Sequence, residues 1–409
     1  MRKTHKHTFV CDGNYYLYRS LFVMPTTNGK YLSTEADVNA FMKKLATDFA
    51  YQIRLFDGII DEVVWTVDSS SWRKDFFPQA EYKGNRTVNE SIDWGNFQKV
   101  TNDFILFLHK QGVIISKIEG AEGDDLMYGW AAYCSANDKP TLLSTGDGDL
   151  TQMVNVNSDG VHTIVFSPAF KKLYTYQGFS EWLKSSEIVE EKVDIFNTMK
   201  ISTSREEQSK KLLSAFLKKK QVAIIEVDTD DFIFKKVLKG DGGDNVAPAY
   251  FYTQTSAKGV TRRYGISEKK CNVIVEEFIS IHGDVKQIYL FNDDFIDSLA
   301  TIIVKVMNAK FMTKEQIVKN LKRNVSLMVL SSSSIPPEIL DDIFKSIESQ
   351  ADHNNLNMSK LSWMNKILEG TEYLNNSTTG SMSSSIFKKE DSTEDFSFIK
   401  KQNTKGKLF

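Results

Sequence analysis

The first 170 residues alternate short runs of β-branched and apolar residues with longer amphipathic stretches. Runs with the length and composition of buried strands lie at 8–11, 62–67, 113–118, 141–145 and 161–166. Between the first two runs, apolar residues recur at helical spacing, as at Phe41, Leu45 and Phe49. Alternating strands and helices predict an α/β fold, with a central mostly parallel sheet and helices on both faces.

The composition is that of a soluble globular chain. Of the 409 residues, 41% are hydrophobic and 25% are charged, which excludes collagen-like and wholly disordered classes. The formal net charge of −2 does not by itself indicate a nucleic-acid partner. No apolar run approaches the ~18–20 residues that span a bilayer. Three widely spaced cysteines favour buried thiols in a reducing compartment, so we expect a cytoplasmic protein.

Acidic residues follow four of the predicted strands, each at the C-terminal end. They are Asp12, Asp68, the group Glu122, Asp124 and Asp125, and the pair Asp147 and Asp149. A later glycine-rich turn, GDGGDN, adds Asp241 and Asp244. The C-terminal ends of parallel strands meet at one edge of a sheet, where ligands of such folds bind. The sequence therefore predicts an acidic cluster at that edge.

Carboxylates held close together repel one another, so a cluster of this size requires cations. Ligands that are all oxygen favour hard divalent ions, and we expect two Mg²⁺ ions, for which Mn²⁺ substitutes. Two such ions about 3.5–4 Å apart can promote phosphodiester hydrolysis. The alternative is a set of separate, solvated helix caps that share no cavity.

Other catalytic patterns are absent from the sequence. It has no GxxxxGK[ST], HExxH or GxSxG motif, which excludes the common P-loop, zincin and α/β-hydrolase signatures. His5 and His7 have metal-like spacing but lie in a basic N-terminal arm, where we expect them to be exposed. Among the tyrosines after Asp12, Tyr15, Tyr16 and Tyr18, base stacking and core packing both remain open.

Six motifs occur in a fixed order along the chain: DGNYYLYRS, WTVDSSSWRKDF, EYKGNR, EGDD, STGDGDLTQM and LKGDGGDN. Together they resemble the 5′-nuclease family of flap endonucleases and 5′-3′ exonucleases, and most of all the branch of the ribonuclease H of T-even phages. The resemblance covers roughly residues 8–178 and 230–350. It implies a PIN-like 5′-nuclease core, a helical arch and a mainly helical C-terminal part.

The resemblance also implies roles for individual residues. Asp12, Asp68, Glu122 and Asp124, with Asp125 beside them, are similar to the ligands of a first metal ion. Asp147, Asp149, Asp241 and Asp244 are similar to those of a second. Lys83 and Arg86 in EYKGNR match the arch residues that approach the scissile phosphate, where a cation offsets developing charge. A solvated loop is the alternative for these two residues.

A basic stretch follows the second acidic turn and matches the duplex-binding part of the family, although its usual glycine-rich pattern is absent. We expect DNA contacts from Arg73, Lys74, Lys258, Arg262, Arg263, Lys269 and Lys270, since gripping phosphates needs only charge and reach. A solvated basic face is the alternative. The expected organisation is a core over 1–178 with an arch near 72–100, an inserted charged helical segment over 179–228, a DNA-binding part over 229–374 and a tail over 375–409.

The tail begins with a Ser-rich stretch typical of a flexible linker and ends in an apolar pair, Leu408 and Phe409. We expect this pair to bind a sliding clamp or a single-strand-binding protein. Phe396 and Phe398 are an alternative anchor, and a tail without a partner is a third reading.

These observations predict a monomeric, Mg²⁺-dependent 5′-3′ nuclease, not associated with membranes. Its substrates would be branched or 5′-recessed DNA and RNA–DNA duplexes, cut from 5′ ends and at flaps, with RNA primers removed during phage DNA replication. Two alternatives are a catalytically silent factor that binds DNA junctions and a PIN-type nuclease of single-stranded RNA.

Overall fold

The central feature of the fold is a sheet of eight strands. The computed structural model describes residues 6–56, 58–78, 82–185, 205–285 and 292–353, without the side chains of 205–209 and 351–353. The strands of the sheet are β1 (His7–Asp12), β2 (Ile60–Thr66), β3 (Ile114–Ser116), β4 (Thr141–Ser144), β5 (Asn155–Val156), β6 (His162–Ser167), β7 (Lys172–Thr175) and β8 (Ala223–Glu226). All five predicted strands are present.

The strand order is β3-β2-β1-β4-β6-β7-β8, and β5 pairs with β6. Pairing is parallel from β3 through β6 and again between β7 and β8. It is antiparallel where β6 meets β7 and β5. The predicted α/β fold with a mostly parallel sheet is confirmed, and the C-terminal ends of β1, β2 and β4 lie side by side at one edge.

Helices cover both faces of the sheet. In chain order they are α1 (Gly13–Phe22), α2 (Glu35–Leu55), α3 (Trp72–Phe76), α4 (Trp94–Lys110), α5 (Gly123–Ala136), α6 (Phe179–Lys184), α7 (Arg205–Lys220), α8 (Thr229–Lys239), α9 (Glu268–His282), α10 (Asp293–Met307), α11 (Lys314–Met328) and α12 (Pro337–His353). Among the described residues, no helix combines the length and the apolar character needed to cross a membrane.

The side chains of β1 pack into two apolar cores, one on each face of the sheet. Phe9 and Cys11 pack into a cluster with α2 and α4, whereas Val10 packs into a second cluster with α5 and α12. This alternation follows from the two-residue period of a strand, and it buries the strand on both faces, as parallel sheets require. Tyr16 lies in the first cluster and is 1% exposed, so core packing is the correct reading for that tyrosine.

The segment predicted to be an inserted helical lobe differs from that prediction. Its described parts are α6, α7 and the strand β8, which extends the central sheet by pairing with β7. Leu213, Phe216 and Leu217 of α7 belong to the main core. These apolar residues recur at helical spacing within a charged segment, and their burial attaches the segment to the core. Residues 186–204 lie outside the described residues.

The C-terminal part has its own core. Phe234 of α8, Phe278 of α9, Phe295 of α10 and Leu321 of α11 share one apolar cluster. A two-stranded antiparallel hairpin, β9 (Tyr252–Thr255) and β10 (Thr261–Tyr264), projects from this part between α8 and α9. The predicted tail over 375–409, with Leu408 and Phe409, lies outside the described residues.

Two buried features concern residues that the sequence singled out. The expectation that His7 is exposed is wrong: it lies in β1, 1% exposed, with its Nε2 2.9 Å from Nε2 of His162 in β6. His7 is buried because it is the first residue of β1. The three thiols, Cys11, Cys134 and Cys271, are free and buried, as predicted.

Candidate active site

Four carboxylates lie at the C-terminal edge of the sheet without an ion pair to a described lysine or arginine; we call them the central carboxylates. They are Asp12, Asp68, Asp124 and Asp147. Asp12 ends β1, Asp68 follows β2, Asp124 lies in the first turn of α5 and Asp147 caps the 3-10 helix Gly148–Met153. The strand order β2-β1-β4 brings their four segments together.

Hydrogen bonds from neighbouring groups hold two of the central carboxylates. Asp12 accepts from the backbone N–H of Tyr15 at 3.0 Å and from the hydroxyl of Thr145 at 2.7 Å. Asp68 accepts from the backbone N–H of Gly123 at 2.6 Å and from the Asn14 side-chain amide. A Cβ on Gly123 would lie 2.6 Å from the Asp68 carboxylate, so this approach requires glycine.

Burial and repulsion make three of the central carboxylates, Asp12, Asp68 and Asp124, difficult to ionise. Burial raises the pKa of Asp12 to about 6, and the charges of Asp68 and Asp147 add to the increase. The pKa of Asp124 is raised well above its usual value by burial and then by Asp147 and Asp12. The pKa of Asp68 is raised by burial and by Glu122. A bound cation would favour the charged form of all three.

The donor chemistry of this group fits a divalent metal ion, because hard cations such as Mg²⁺ are bound through carboxylate oxygens. Among the described residues, no three Asp, Glu, His or Cys side chains are drawn together closely enough to hold an ion in the present conformation. Metal binding would therefore require the central carboxylates to turn toward a shared point. The raised pKa values of Asp12, Asp68 and Asp124 supply the electrostatic reason for such a change.

Glu122 and Asp125 differ from the expected first ligand set. Arg73 of α3 donates to Asp125 through both terminal nitrogens, at 3.0 and 2.8 Å, and to Glu122 at 3.0 Å. Asp125 is 0% exposed and also accepts from the Trp72 indole at 3.0 Å. Its carboxylate is saturated by protein donors in this conformation, so its predicted place beside the metal stays a prediction. The expected DNA contact by Arg73 is contradicted by the structure, since the guanidinium is 2% exposed.

The EYKGNR segment approaches the same edge. Lys83 Nζ contacts Glu122 Oε1 at 2.7 Å, and the Tyr82 hydroxyl donates to Glu122 at 3.1 Å. The cations Arg73 and Lys83 outweigh burial and lower the pKa of Glu122 to about 2. Arg86 is 60% exposed and contacts Asp244 Oδ1 at 2.6 Å. The structure thus places both predicted arch cations against the acidic residues.

A second acidic pair shares one lysine. Lys236, in α8, contacts both Asp149 and Asp241, the latter at 2.9 Å. At Asp149, burial and the charge of Asp147 outweigh Lys236 and raise the pKa to about 6. At Asp241, Lys236 and the backbone N–H groups of Gly243 and Asp244 outweigh burial and lower the pKa. These two acids therefore lie beside the central carboxylates but are already compensated by the protein.

The predicted DNA-binding residues other than Arg73 are on the surface. Lys74 follows in α3, and the exposed residues Lys258, Arg262, Arg263, Lys269 and Lys270 lie on the β9–β10 hairpin and at the start of α9. Lys270 Nζ donates to the backbone carbonyl of Val306 at 2.8 Å. The residues of this set are exposed, so phosphates could reach them.

Several residues that contact the acids of the site are not predicted from the sequence. Lys236, Tyr82, Asn14 and Thr145 each contact a predicted acid, although no role is predicted for them from the sequence. Asn14, Tyr82 and Thr145 stand within the quoted motifs, and Lys236 is five residues before Asp241, at the end of an amphipathic helix, so its side chain can fold back over the turn. The others depend on contacts between segments distant in the chain.

Comparison with known proteins agrees with this architecture. Residues 7–194 match the family of 5′-3′ exonuclease N-terminal, resolvase-like domains. A segment of 159 residues is 28% identical to DNA polymerase I of Pseudomonas aeruginosa; it is 38% of this chain and only 16% of the polymerase. The N-terminal part of this chain is therefore similar to the N-terminal domains of 5′-3′ exonucleases.

Solved structures of low sequence identity also resemble the chain. A flap endonuclease of bacteriophage T5, in a complex with DNA and metal ions, is 18% identical with a TM-score of 0.49, covering 85% of this chain and 100% of its own. The T5 5′-exonuclease with bound zinc is 17% identical with a TM-score of 0.44, covering 90% of this chain and 100% of its own.

Proposed function

We propose that this protein is a Mg²⁺-dependent 5′-3′ nuclease that hydrolyses phosphodiester bonds in DNA and RNA–DNA duplexes. It acts from 5′ ends and at flaps, and removes RNA primers during phage DNA replication, in the manner of the T-even phage ribonuclease H. The observation that carries this proposal is the group of four central carboxylates facing Lys83 and Arg86 at the edge of a 5′-nuclease fold. A merely structural cluster has no need of carboxylates that lack a compensating cation.

The acidic residues would bind two metal ions. Asp12, Asp68 and Asp124 would hold the first ion. Asp147 would join them instead of the second set, because its charge acts on Asp12 and Asp124, and Glu122 would stay paired with Lys83. Asp149, Asp241 and Asp244 would hold a second ion when Lys236 and Arg86 turn away. Bound ions supply an activated water molecule and neutralise charge on the phosphate. Mn²⁺ has the same ligand preference and would substitute for Mg²⁺.

Lys83 and Arg86 act on the substrate side of the site. Each is held over the acids by an ion pair to a carboxylate, so a phosphate could replace that carboxylate as its partner. A cation that contacts the scissile phosphate stabilises the charge that develops in the transition state. Lys258, Arg262, Arg263, Lys269 and Lys270 would bind the duplex backbone without reading its sequence.

The protein would work as a monomer in the host cytoplasm. Its partner in replication would be a sliding clamp or a single-strand-binding protein, bound through Leu408 and Phe409 of the tail. An apolar pair after a Ser-rich stretch supports this assignment.

The function is tested with a nicked duplex that carries a 5′-labelled RNA primer and with a matching DNA substrate that carries a 5′ flap. Wild-type protein should release short labelled products with Mg²⁺ and none with EDTA. The Asp147→Asn variant should bind both substrates and cut neither, because it removes one charge from the central carboxylates. Product length separates exonuclease action from flap cutting.

Other outcomes would favour other functions. Tight binding without any product, in Mg²⁺ and in Mn²⁺, would overturn the proposal and favour a silent junction-binding factor. Preferential cutting of single-stranded RNA over a 5′-recessed duplex would favour the PIN-type ribonuclease.

A further inference from the structure

Three aromatic rings form a parallel stack on the surface of the C-terminal part; we call it the aromatic stack. Tyr252 and Tyr264 face each other across the β9–β10 hairpin, with ring centroids 5.3 Å apart and planes 17° from parallel. Phe311, in the loop between α10 and α11, stacks on Tyr252 at 4.6 Å and 21°. Tyr252 is therefore the central ring, and Tyr264 and Phe311 are the outer rings.

The outer rings are open to solvent. Phe311 is 65% exposed and Tyr264 is 41% exposed. Exposed apolar residues scattered singly need no explanation, but aromatic residues that join in one patch indicate a binding surface. The flat outer faces of this patch can stack against the flat rings of an aromatic ligand.

The charges around the aromatic stack indicate the class of ligand. Residues 252–264 contain three basic residues, Lys258, Arg262 and Arg263, and no acidic one. In the hairpin Arg262 pairs with Gln254, and Tyr264 pairs with Tyr252. Residues two apart on a strand share a face, so Arg262 lies on the face of the two tyrosines. A ligand that suits this face combines flat apolar rings with negative charge.

We propose that the aromatic stack binds unpaired nucleotides. Bases stack on the outer faces of Phe311 and Tyr264. Arg262 and Lys258, proposed above to contact the duplex backbone, contact the phosphates of the unpaired strand that continues from the duplex. Stacking needs an exposed base face, which a duplex offers only at its ends, so this site selects a single-stranded stretch such as a flap or a displaced strand. The proposal rests on the proposed function in one respect, that nucleic acid is the substrate.

A purely structural role is the competing explanation, because aromatic pairs across two strands stabilise a hairpin. Tyr252 and Tyr264 make such a pair, but Phe311 belongs to neither strand. Phe311 therefore separates the two explanations, since its removal leaves the cross-strand pair in place.

The test measures binding of two fluorescent oligonucleotides in EDTA, where no cleavage takes place. One is a short oligothymidylate, and the other is an abasic strand of the same length, which keeps the phosphates but lacks bases. The Phe311→Ala variant should bind oligothymidylate about tenfold more weakly, the effect of one lost stacking contact. Its affinity for the abasic strand should not change, and Phe311→Tyr should restore binding.

A matched control uses Phe170, which is 67% exposed and lies outside the aromatic stack. The Phe170→Ala variant should bind both strands as the wild type does. Equal losses on both strands in Phe311→Ala, or no loss on either, would overturn the proposal. Cleavage of a blunt duplex with Mg²⁺ is measured in parallel, so that a failure of the nuclease function is recognised separately from a failure of base stacking.

Discussion

Lys83 Nζ lies 2.7 Å from Glu122 Oε1, although the two residues are 39 positions apart in the chain. This ion pair joins the EYKGNR segment to the N-terminus of α5, beside the central carboxylate Asp124. A second link supports it, since the backbone N–H of Lys83 donates to the carbonyl of Asp244 at 2.9 Å. Lys83 adopts a φ of 56°, and both links hold it in this uncommon backbone conformation.

We expect the Lys83→Met variant to cleave at least about 10²-fold more slowly at saturating substrate, because one charge that faces the phosphate is lost. The measurement is single-turnover cleavage of a 5′-flap DNA with Mg²⁺. The Lys218→Met variant, which removes an exposed lysine of α7, should cleave at the wild-type rate. A normal rate for Lys83→Met would show that this residue serves the fold and not the reaction.

Lys236 compensates Asp149 and Asp241 while no second ion is bound. We expect Lys236→Met to lower the thermal unfolding midpoint in EDTA, because two carboxylates lose their shared cation. Added Mg²⁺ should raise the midpoint of this variant by more than that of the wild type, since binding to the folded state stabilises it. The Lys235→Met variant, whose lysine pairs with Asp231 instead, should respond to Mg²⁺ as the wild type does. Equal responses in all three proteins would contradict the assignment.

Arg73 is a structural residue in this account. Removal of one partner from a buried ion pair leaves an uncompensated charge and costs about 3–5 kcal/mol. We therefore expect Arg73→Met to lower the free energy of unfolding by that amount in urea denaturation. Lys74→Met, at the exposed neighbouring position, should change it by less than about 0.5 kcal/mol. A small effect at Arg73 together with weaker DNA binding would show instead that Arg73 contacts phosphates.

The buried pair of His7 and His162 makes stability depend on pH. Burial lowers the pKa of His7 to about 4 and that of His162 well below its usual value, so the folded protein keeps both neutral. An unfolded chain takes up these protons below about pH 6.5. The neutral histidines make their full contribution to the free energy of unfolding above about pH 6.5. This contribution is lost as the pH falls toward 4.

The His7→Gln variant removes one of these titrating groups and keeps the ability to hydrogen-bond. We expect its free energy of unfolding to decline less steeply than that of the wild type between pH 6.5 and about 4. The carboxylates titrate in both proteins, so the comparison isolates the histidine. Parallel curves would show that the pair does not resist protonation.

The strand-end acids show which part of the site the sequence could reveal. Asp12, Asp68 and Asp147 each follow an apolar run, and parallel strand order alone brings them to one edge. The division between compensated and uncompensated acids was not predictable. It depends on Arg73 turning inward to Asp125 and on Lys236 folding over the turn, and each choice is made by tertiary packing.

The fold shows the same limit. Periodicity located the strands of the core and the amphipathic α2, because their apolar residues recur with a clear period. The strand β8 and the burial of α7 were not predicted. The many charged residues of that segment obscure the helical spacing of its apolar residues, such as Leu213 and Phe216. The burial of His7 was missed because a basic arm with scattered histidines resembles a solvated terminus.

We propose that the central carboxylates form the cation site at which phosphodiesters are hydrolysed. The most direct measurement is a Mg²⁺ titration of 5′-flap DNA cleavage by wild type, Asp124→Asn and Asp75→Asn, the last changing an exposed acid of α3. We predict that Asp75→Asn follows the wild-type curve, whereas Asp124→Asn binds the DNA and yields no product at any Mg²⁺ concentration. Wild-type cleavage by Asp124→Asn at the same Mg²⁺ midpoint would contradict the account.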